Sequence, residues 1–183
     1  MRLSVQERMF GDGDLVSKYE LAARSGFDGI ELNAAGDGEF VRRLPELRSA
    51  RRSGTTISSA CVAMPYFIGD FDPDARQAAR RSLTQALSVI AEVGGAGVVT
   101  PNAFAAFSRR LPPFVPPRDD AQSRAILVDA VHELGEHARR EGVLLFLEPL
   151  NRYEDFMVNT LADARDIIGA AETAGAAIAA DTF

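Results

Sequence analysis

The sequence predicts an α/β protein whose core is a parallel β-sheet. Short runs rich in apolar and β-branched residues alternate with longer segments of helical periodicity, which is typical of βαβ units with right-handed crossovers. The helical segments also carry side chains that begin and end helices. In addition, 183 residues with 46% hydrophobic and 25% charged side chains suffice for one sizeable core, which excludes a disordered or rod-like chain.

Six segments are predicted strands because they are short, mostly apolar and bounded by glycine, proline or polar residues. These segments are residues 2–6, 29–32, 55–62, 96–100, 143–148 and 176–181. A predicted helix separates each strand from the next, so the chain alternates strand and helix from its first strand to its last.

The three helices between the last four strands have the clearest boundaries. Asp72 and Pro73 begin the first, since the aspartate can cap free backbone N–H groups and proline is tolerated in the first helical turn. Thr160 and Asp163 have the spacing of a capping box and begin the last. The residues predicted to end these helices are all glycines: Gly94, Gly142 and Gly175.

Two further helices are predicted over residues 15–25 and 40–52, with Pro45 inside the second. The segment 101–120 has no such period and contains five prolines and three phenylalanines between the end of a strand and a helix. Long irregular loops in this position of α/β folds are often functional. We therefore expect a lid there.

Charge and cysteine content exclude several classes of protein. The net charge of −6 gives no basic surface for nucleic acid or for anionic membranes. No apolar run reaches the ~18 residues that span a bilayer, and the start lacks a signal peptide. Cys61 is the single cysteine, so no intramolecular disulfide is possible, and its small, apolar neighbours predict a buried, inert thiol. We expect a cytoplasmic protein.

Six strands allow two architectures. An open doubly wound sheet is complete at this length, whereas an eight-stranded (β/α)8 barrel needs two more strands and typically about 250 residues. Against the open sheet, no glycine-rich phosphate-binding motif follows the first strand. Length alone favours the open sheet, so the choice depends on further motifs.

Candidate catalytic residues stand where predicted strands end. Glu148 closes the fifth strand and Asp181 closes the sixth, so the two carboxylates are expected at the same edge of the sheet. Like charges so close favour a bound divalent cation, although a strand-end acid can equally cap a helix or pair with Arg152. Glu31, at the end of the second predicted strand, points to this edge, and so, more weakly, does Glu7.

Three motifs carry a resemblance to a known family. They are LEPLNRYE at 147–154, ADTF at 180–183 and GFDGIEL at 26–32. Together they resemble the xylose isomerase-like TIM-barrel superfamily, and within it the branch of sugar phosphate isomerases and ketose 3-epimerases. The resemblance runs over essentially the whole chain and implies a (β/α)8 barrel, here represented by about six strands and five helices as one C-terminally incomplete domain, 1–183.

The resemblance also implies a site. The family holds one divalent metal, often manganese, through two glutamates, an aspartate and a histidine at strand ends. For this chain the resemblance implies one divalent ion, manganese first, with magnesium, cobalt or zinc as alternatives. Glu148 matches the first glutamate, as metal ligand and catalytic base, and Asp181 matches the aspartate. Glu154 would contact a sugar hydroxyl, and Glu31 and Arg152 are further substrate-binding candidates. The histidine and the second glutamate have no match before Phe183, so we expect a fragment of a longer protein or a chain inactive alone.

The implied activity is a metal-dependent isomerase or epimerase that moves a proton next to a ketose carbonyl through an enediolate. The expected ligand is a sugar or a sugar phosphate, and neither nucleic acid nor a membrane is expected as a partner. The family also suggests that the protein forms a homo-oligomer. A non-catalytic sugar-binding barrel, an inosose dehydratase and a hydroxypyruvate isomerase remain alternatives. Endonuclease IV, a DNA-repair relative, is disfavoured because the third and fourth strand ends supply no histidine for its zinc site.

Overall fold

The computed structural model describes residues 1–104 and 115–182 and contains one six-stranded sheet in which every strand pair is parallel. The strands follow the predicted order with small shifts at their ends. Their bounds are β1 Ser4–Gln6, β2 Gly29–Ala35, β3 Ile57–Ala63, β4 Gly97–Pro101, β5 Leu144–Glu148 and β6 Ala176–Ile178.

Helices connect consecutive strands and pack against one another around the outside of the sheet. A short 3-10 helix, Glu7–Phe10, directly follows β1. The α-helices are α1 Leu15–Arg24, α2 Glu39–Arg42, α3 Leu44–Arg52, α4 Pro73–Val93, α5 Asp120–Glu141 and α6 Leu161–Ala171. Within the described residues, no helix is long and apolar enough to cross a membrane.

The strand order decides between the two predicted architectures. Each strand pairs with the next one in the chain, from β1 to β6, without the reversal that defines a doubly wound sheet. Sequential parallel strands with all crossovers on one side are the arrangement of a (β/α)8 barrel. The barrel-type fold is therefore confirmed, with six of its strands in this chain.

The hydrophobic core lies between the sheet and the helices. Alternate residues of β2, Ile30 and Leu32, are fully buried on this side, where they meet the apolar faces of the helices. Leu83 and Leu87 of α4 and Leu127 of α5 are buried in the same layer. The intervening strand residues face the concave inner side of the sheet, and this is the side that carries the polar groups of the site.

Side-chain caps begin four of the described helices, including α1, where Asp14 accepts a hydrogen bond from the backbone N–H of Ser17. Asp72 accepts a hydrogen bond from the backbone N–H of Asp74 at the start of α4, with Pro73 in the first turn. Thr160 and Asp163 form the predicted capping box of α6. Asp119 forms a further capping box at the start of α5. Because α4, α5 and α6 all begin above the carboxyl ends of the strands, these caps fix the loops at that edge.

Two predicted helix boundaries were wrong. The helix expected over 40–52 is divided into α2 and α3, because Pro45 in the first turn of α3 lacks an N–H and its ring would clash with the carbonyl of Val41. Helix α6 ends at Ala171 instead of near Gly175, with Glu172 in the left-handed conformation. Gly175 serves another purpose: a Cβ there would lie 1.8 Å from the carbonyl oxygen of Gly135 in α5.

The predicted lid falls partly outside the described residues. Strand β4 ends at Pro101 and α5 begins at Asp120, so the connection is long, as expected, but residues 105–114 of it lie outside the described part of the chain. Of its three phenylalanines, Phe104 lies within the described part of the chain and is partly exposed, whereas Phe107 and Phe114 lie outside it. The lid itself stays a prediction.

Candidate functional site

A cavity of about 610 Å³ opens at the carboxyl ends of the strands. Three carboxylates reach it from the ends or following loops of β5 and β6. Apart from Leu150, in the loop after β5, the remaining lining comes from β1, β3, β4 and the segments that follow them. The carboxylates are Glu148, Glu154 and Asp181, and other lining residues include Gln6, Arg8, Cys61, Phe67 and Phe104. In barrels of this kind the reacting groups lie at this end of the sheet.

Glu148 is the last residue of β5 and stands opposite Pro101 of β4 in the strand register. Its side chain is half-buried. Burial raises the pKa of this carboxyl above its usual range, and the negative charges of Asp181, Glu31 and Glu154 raise it further. A carboxyl whose pKa is raised is better suited to exchange protons near neutral pH, which is the property a general base requires.

Asp181 was predicted to close the sixth strand, but β6 ends at Ile178, so Asp181 lies three residues beyond it. The pairing of β6 with β5 extends only through the N–H of Ala179, which donates to the carbonyl of Leu147 at 3.0 Å. Asp181 is exposed and lines the cavity, and its charge raises the pKa of Glu148. The structure therefore brings the two predicted metal ligands together.

Glu31 stands in the middle of β2 instead of at the end of a strand, because β2 continues to Ala35. Its carboxylate accepts hydrogen bonds from Gln6 Nε2 of β1 at 3.0 Å and from Ser59 Oγ of β3 at 2.7 Å. These bonds tie three neighbouring strands together on the inner face. The charge of Glu31 still reaches the site, where it raises the pKa of Glu148.

The other two candidates, Glu154 and Arg152, both lie in the loop after β5, but only Glu154 lines the cavity. Glu154 turns into the cavity, held by a hydrogen bond of 2.5 Å from Asn151 Nδ2. Arg152 is exposed, and its guanidinium lies 5.1 Å from the centre of the Tyr153 ring and donates to the Tyr153 hydroxyl. Among the described residues, the lining of the cavity includes Glu154 and not Arg152.

No three His, Cys, Asp or Glu side chains within residues 1–104 and 115–182 gather into a group that could hold a metal ion. Glu148 and Asp181 share the cavity, but the two histidines lie elsewhere. His132 Nδ1 lies 2.8 Å from the carbonyl of Ala171, and His137 Nε2 lies 2.9 Å from Ser88 Oγ. Both histidines thus contact neighbouring helices, away from the cavity.

Cys61 occupies a place that its neighbours in sequence did not reveal. It is half-buried on the inner face of β3 and lines the cavity, whereas a buried thiol was predicted. Burial, together with the charges of Glu31 and Glu148, raises the pKa of the Cys61 thiol to about 12. The thiol therefore stays protonated, which agrees with the predicted lack of reactivity.

Glu7 belongs to the framework and not to the cavity. It is 5% exposed, and Arg43 donates to both of its carboxylate oxygens, at 2.6 and 2.8 Å. The backbone N–H of Asn33 donates to the same group at 2.7 Å. Burial acts to raise the pKa of Glu7, but Arg43 and Asn33 outweigh it and the pKa is lowered. Sequence alone gave no sign of this pair, whose members are 36 residues apart.

Arg8 is a lining residue that sequence reasoning missed. It is exposed, follows β1 in the 3-10 helix, and is the one cation among the described residues that line the cavity. Its charge acts to lower the pKa of Cys61 against the surrounding carboxylates. The available signal was its position, two residues after the end of β1, which pairs with the strand that carries Glu31.

Comparison with known proteins identifies the family of this chain. Residues 19–183 match the family model described as xylose isomerase-like TIM barrel. The chain is 36% identical over 170 residues to 3-dehydro-D-guloside 4-epimerase of Escherichia coli (strain K12). That match covers 92% of this chain and 63% of the relative, so the chain spans less than two thirds of the relative's length.

Solved structures show the same fold. The crystal structure of 3-keto-D-glucoside 4-epimerase from E. coli, in its apo form, superposes with a TM-score of 0.89 at 34% identity, covering 99% of this chain and 68% of that one. A D-psicose 3-epimerase from Clostridium cellulolyticum H10 with D-tagatose gives a TM-score of 0.78 at 19% identity, covering 99% and 63%. The second likeness concerns the fold alone. By its family match, its sequence identity and its strand order, this chain belongs to the xylose isomerase-like TIM-barrel family.

Proposed function

We propose that this chain carries the strand-end carboxylates of a sugar epimerase that inverts a carbon next to a ketone, with 3-keto glycosides as its substrate class. The observation that carries the proposal is Glu148, whose pKa is raised by burial and by neighbouring acids in a cavity large enough for a sugar. The names of the E. coli epimerase and of the E. coli crystal structure, both more than 30% identical to this chain, support the choice of substrate class.

The chemistry follows from the ketone. A ketone at C3 makes the hydrogen on C4 acidic, because the electrons left behind spread onto the carbonyl oxygen as an enediolate. In our proposal Glu148 takes this proton from one face of C4, and a second acid on the opposite face, the role of the family's second glutamate, gives a proton to C4 and inverts the configuration. Glu154, which Asn151 holds in place by a hydrogen bond, binds a hydroxyl of the sugar. Phe67 and Phe104 cover an apolar face of the ring and limit the access of water.

A divalent metal ion fits the two central carboxylates. Glu148 and Asp181 offer only oxygen donors, which hard cations such as Mn²⁺ and Mg²⁺ prefer, and their mutual repulsion is the kind that a cation relieves. We assign these two residues as ligands, and a complete set needs more than two. When bound, the ion would stabilise negative charge on the ketone oxygen as a Lewis acid.

Solvent-proton exchange tests the proposal. A 3-keto glucoside is incubated in D₂O with the protein and Mn²⁺, and deuterium at C4 is followed by NMR. We expect exchange with the natural chain and a loss of about hundredfold or more in Glu148→Gln, the range for a general base. Glu20→Gln, an exposed glutamate of α1, is the matched control and should exchange normally.

The outcomes separate the candidate functions. Exchange that persists in Glu148→Gln would remove Glu148 from the reaction. Binding of the keto sugar without exchange at any metal concentration would favour the non-catalytic sugar-binding barrel. Exchange at the carbon on the other side of the ketone, with no change at C4, would point to an isomerase instead.

A further inference from the structure

A buried carboxylate outside the cavity joins two of the loops that build it. Asp155 is fully buried in the loop after β5 and accepts four hydrogen bonds. Two come from its own loop, from the N–H groups of Met157 at 2.8 Å and Val158 at 3.3 Å. The other two come from the loop after β4, from Asn102 Nδ2 at 2.9 Å and the N–H of Ala103 at 3.1 Å.

A second link connects the loop after β4 to the loop after β3. The N–H of Gly69 donates to the carbonyl of Asn102 at 2.7 Å. Asn102 is fully buried, and a Cβ at Gly69 would lie 1.8 Å from its side-chain oxygen, so only glycine permits this approach. Arg118, just before α5, donates to the carbonyls of Gly69 and Asp70 at 2.6 and 2.8 Å and strengthens the same junction.

Each linked residue has a close neighbour in the cavity. Phe67 precedes Gly69 by two residues, Phe104 directly follows Ala103, and Glu154 directly precedes Asp155. All three of these neighbours line the cavity, and the rings of Phe67 and Phe104 lie 6.3 Å apart. A shift in any one loop is therefore transmitted to the residues that we assign to the sugar.

A purely local role for Asp155 explains only half of its contacts. The side-chain oxygen of an asparagine would accept the hydrogen bonds of Met157 and Val158 equally well. It would also avoid the cost of burying a charge, a cost that shows here as a raised pKa of Asp155. A carboxylate has two acceptor oxygens. Oδ1 takes the donors of Asn102, Met157 and Val158, and Oδ2 takes the N–H of Ala103, so the second oxygen serves the contact between the loops.

We propose that Asp155, Asn102 and Gly69 couple the loops after β3, β4 and β5, and that Asp155 is a positioning residue which holds Glu154 and Phe104 at the cavity. The coupling rests on the hydrogen bonds above, and its consequence for sugar binding rests on the proposed function.

Amide hydrogen exchange of the full chain, measured by NMR, tests the coupling. Asp155→Asn keeps one oxygen for its own loop and turns an NH₂ group towards the N–H of Ala103. We expect exchange at Ala103 and Gly69 to accelerate about ten- to hundredfold, as for a lost hydrogen bond to a charged group, while Met157 and Val158 stay protected. Gly69→Ala, a second variant in another loop, should accelerate exchange at Ala103 and weaken the proton contacts between the Phe67 and Phe104 rings.

Val93→Ala is the matched control, since this buried residue ends α4 at the opposite edge of the sheet. It should lower stability without selective exchange at the three loops. The coupling is overturned if each variant affects only its own loop, or if Val93→Ala gives the same pattern.

Kinetics keep the two proposals apart. If the chain exchanges protons with a keto sugar, Asp155→Asn should raise KM about tenfold with a smaller change in kcat, because Glu154 and Phe104 are displaced while Glu148 is not. Coupled loops in a chain without any proton exchange would refute the proposed function and leave the coupling intact. Normal KM in Asp155→Asn would refute the positioning role.

Discussion

Arg43→Met is expected to destabilise the protein because it leaves the buried carboxylate of Glu7 without a positive charge beside it. Glu7 is 5% exposed and receives two short hydrogen bonds from Arg43, and methionine keeps much of the arginine's volume without its charge. Removing one partner of a buried ion pair costs about 3–5 kcal/mol. Domains of this size are stable by about 5–15 kcal/mol, so this one change removes a large share of the total.

Urea unfolding followed by far-UV circular dichroism measures this loss, since the chain has no tryptophan. Glu7→Gln and the double variant complete a double-mutant cycle. We expect the double variant to be more stable than Arg43→Met, because no charge is then left buried. The reasoning is refuted if Arg43→Met costs less than about 1 kcal/mol, as for an exposed pair, or if the two single losses simply add.

The pH dependence gives an independent check of the same pair. The pKa of Glu7 is lowered in the folded state, so its contribution is present above the unfolded pKa near 4.5 and is lost as the pH falls through the folded value. Stability of the natural chain should therefore decline more steeply below pH 4.5 than that of Glu7→Gln. Equal slopes of stability against pH in the two proteins would show that the ionised Glu7 does not stabilise the fold through its pairing with Arg43.

Three further predictions concern other sites. The pKa of Glu148 is raised in the folded state, so ionisation of this carboxyl at higher pH opposes folding. Glu148→Gln should therefore unfold at a higher urea concentration than the natural chain at pH 7, but at the same concentration at pH 3. Equal unfolding midpoints at pH 7 would contradict this. With a pKa of about 12 against a usual 9.0, Cys61 should react with iodoacetamide at pH 8 roughly a thousandfold more slowly than a free thiol, and rapid labelling of the folded chain would disprove it. Gly97→Ala would place a Cβ 2.0 Å from the Leu144 carbonyl oxygen and should lower the free energy of unfolding by about 1–3 kcal/mol. Gly169→Ala in α6, with open space around the new methyl group, should raise it by about 0.5–1 kcal/mol. Thermal unfolding compares the two variants, and similar melting temperatures would contradict the packing argument.

Local signals in the chain predicted most of the fold. Asp72 with Pro73 and Thr160 with Asp163 began helices where expected, because caps and first-turn prolines act within a few residues of the backbone they serve. The 40–52 segment failed for the opposite reason. The predicted helix contained Pro45, and the backbone sterics of this proline divided it into α2 and α3.

The site was predictable only as far as strand ends reveal it. Glu148 closes β5, so its place at the edge of the sheet followed from the alternation of elements. Glu31 did not, because the end of a strand depends on how far its neighbours pair with it, and β2 continues beside β3 to Ala35. Arg8 and Phe104 reach the cavity through loop conformations that carry no periodic signal.

The sequence by itself determined the alternation of strand and helix, the helix caps and the identity of the strand-end acid Glu148, since these depend on neighbours within a few residues. The tertiary structure decided which acids act in the cavity and which support the frame. Glu7 finds Arg43 across 36 residues, and Asp155 finds Asn102 across 53. The physical reason is that burial and charge pairing are properties of positions in space, and positions in space are fixed only when all six strands lie side by side.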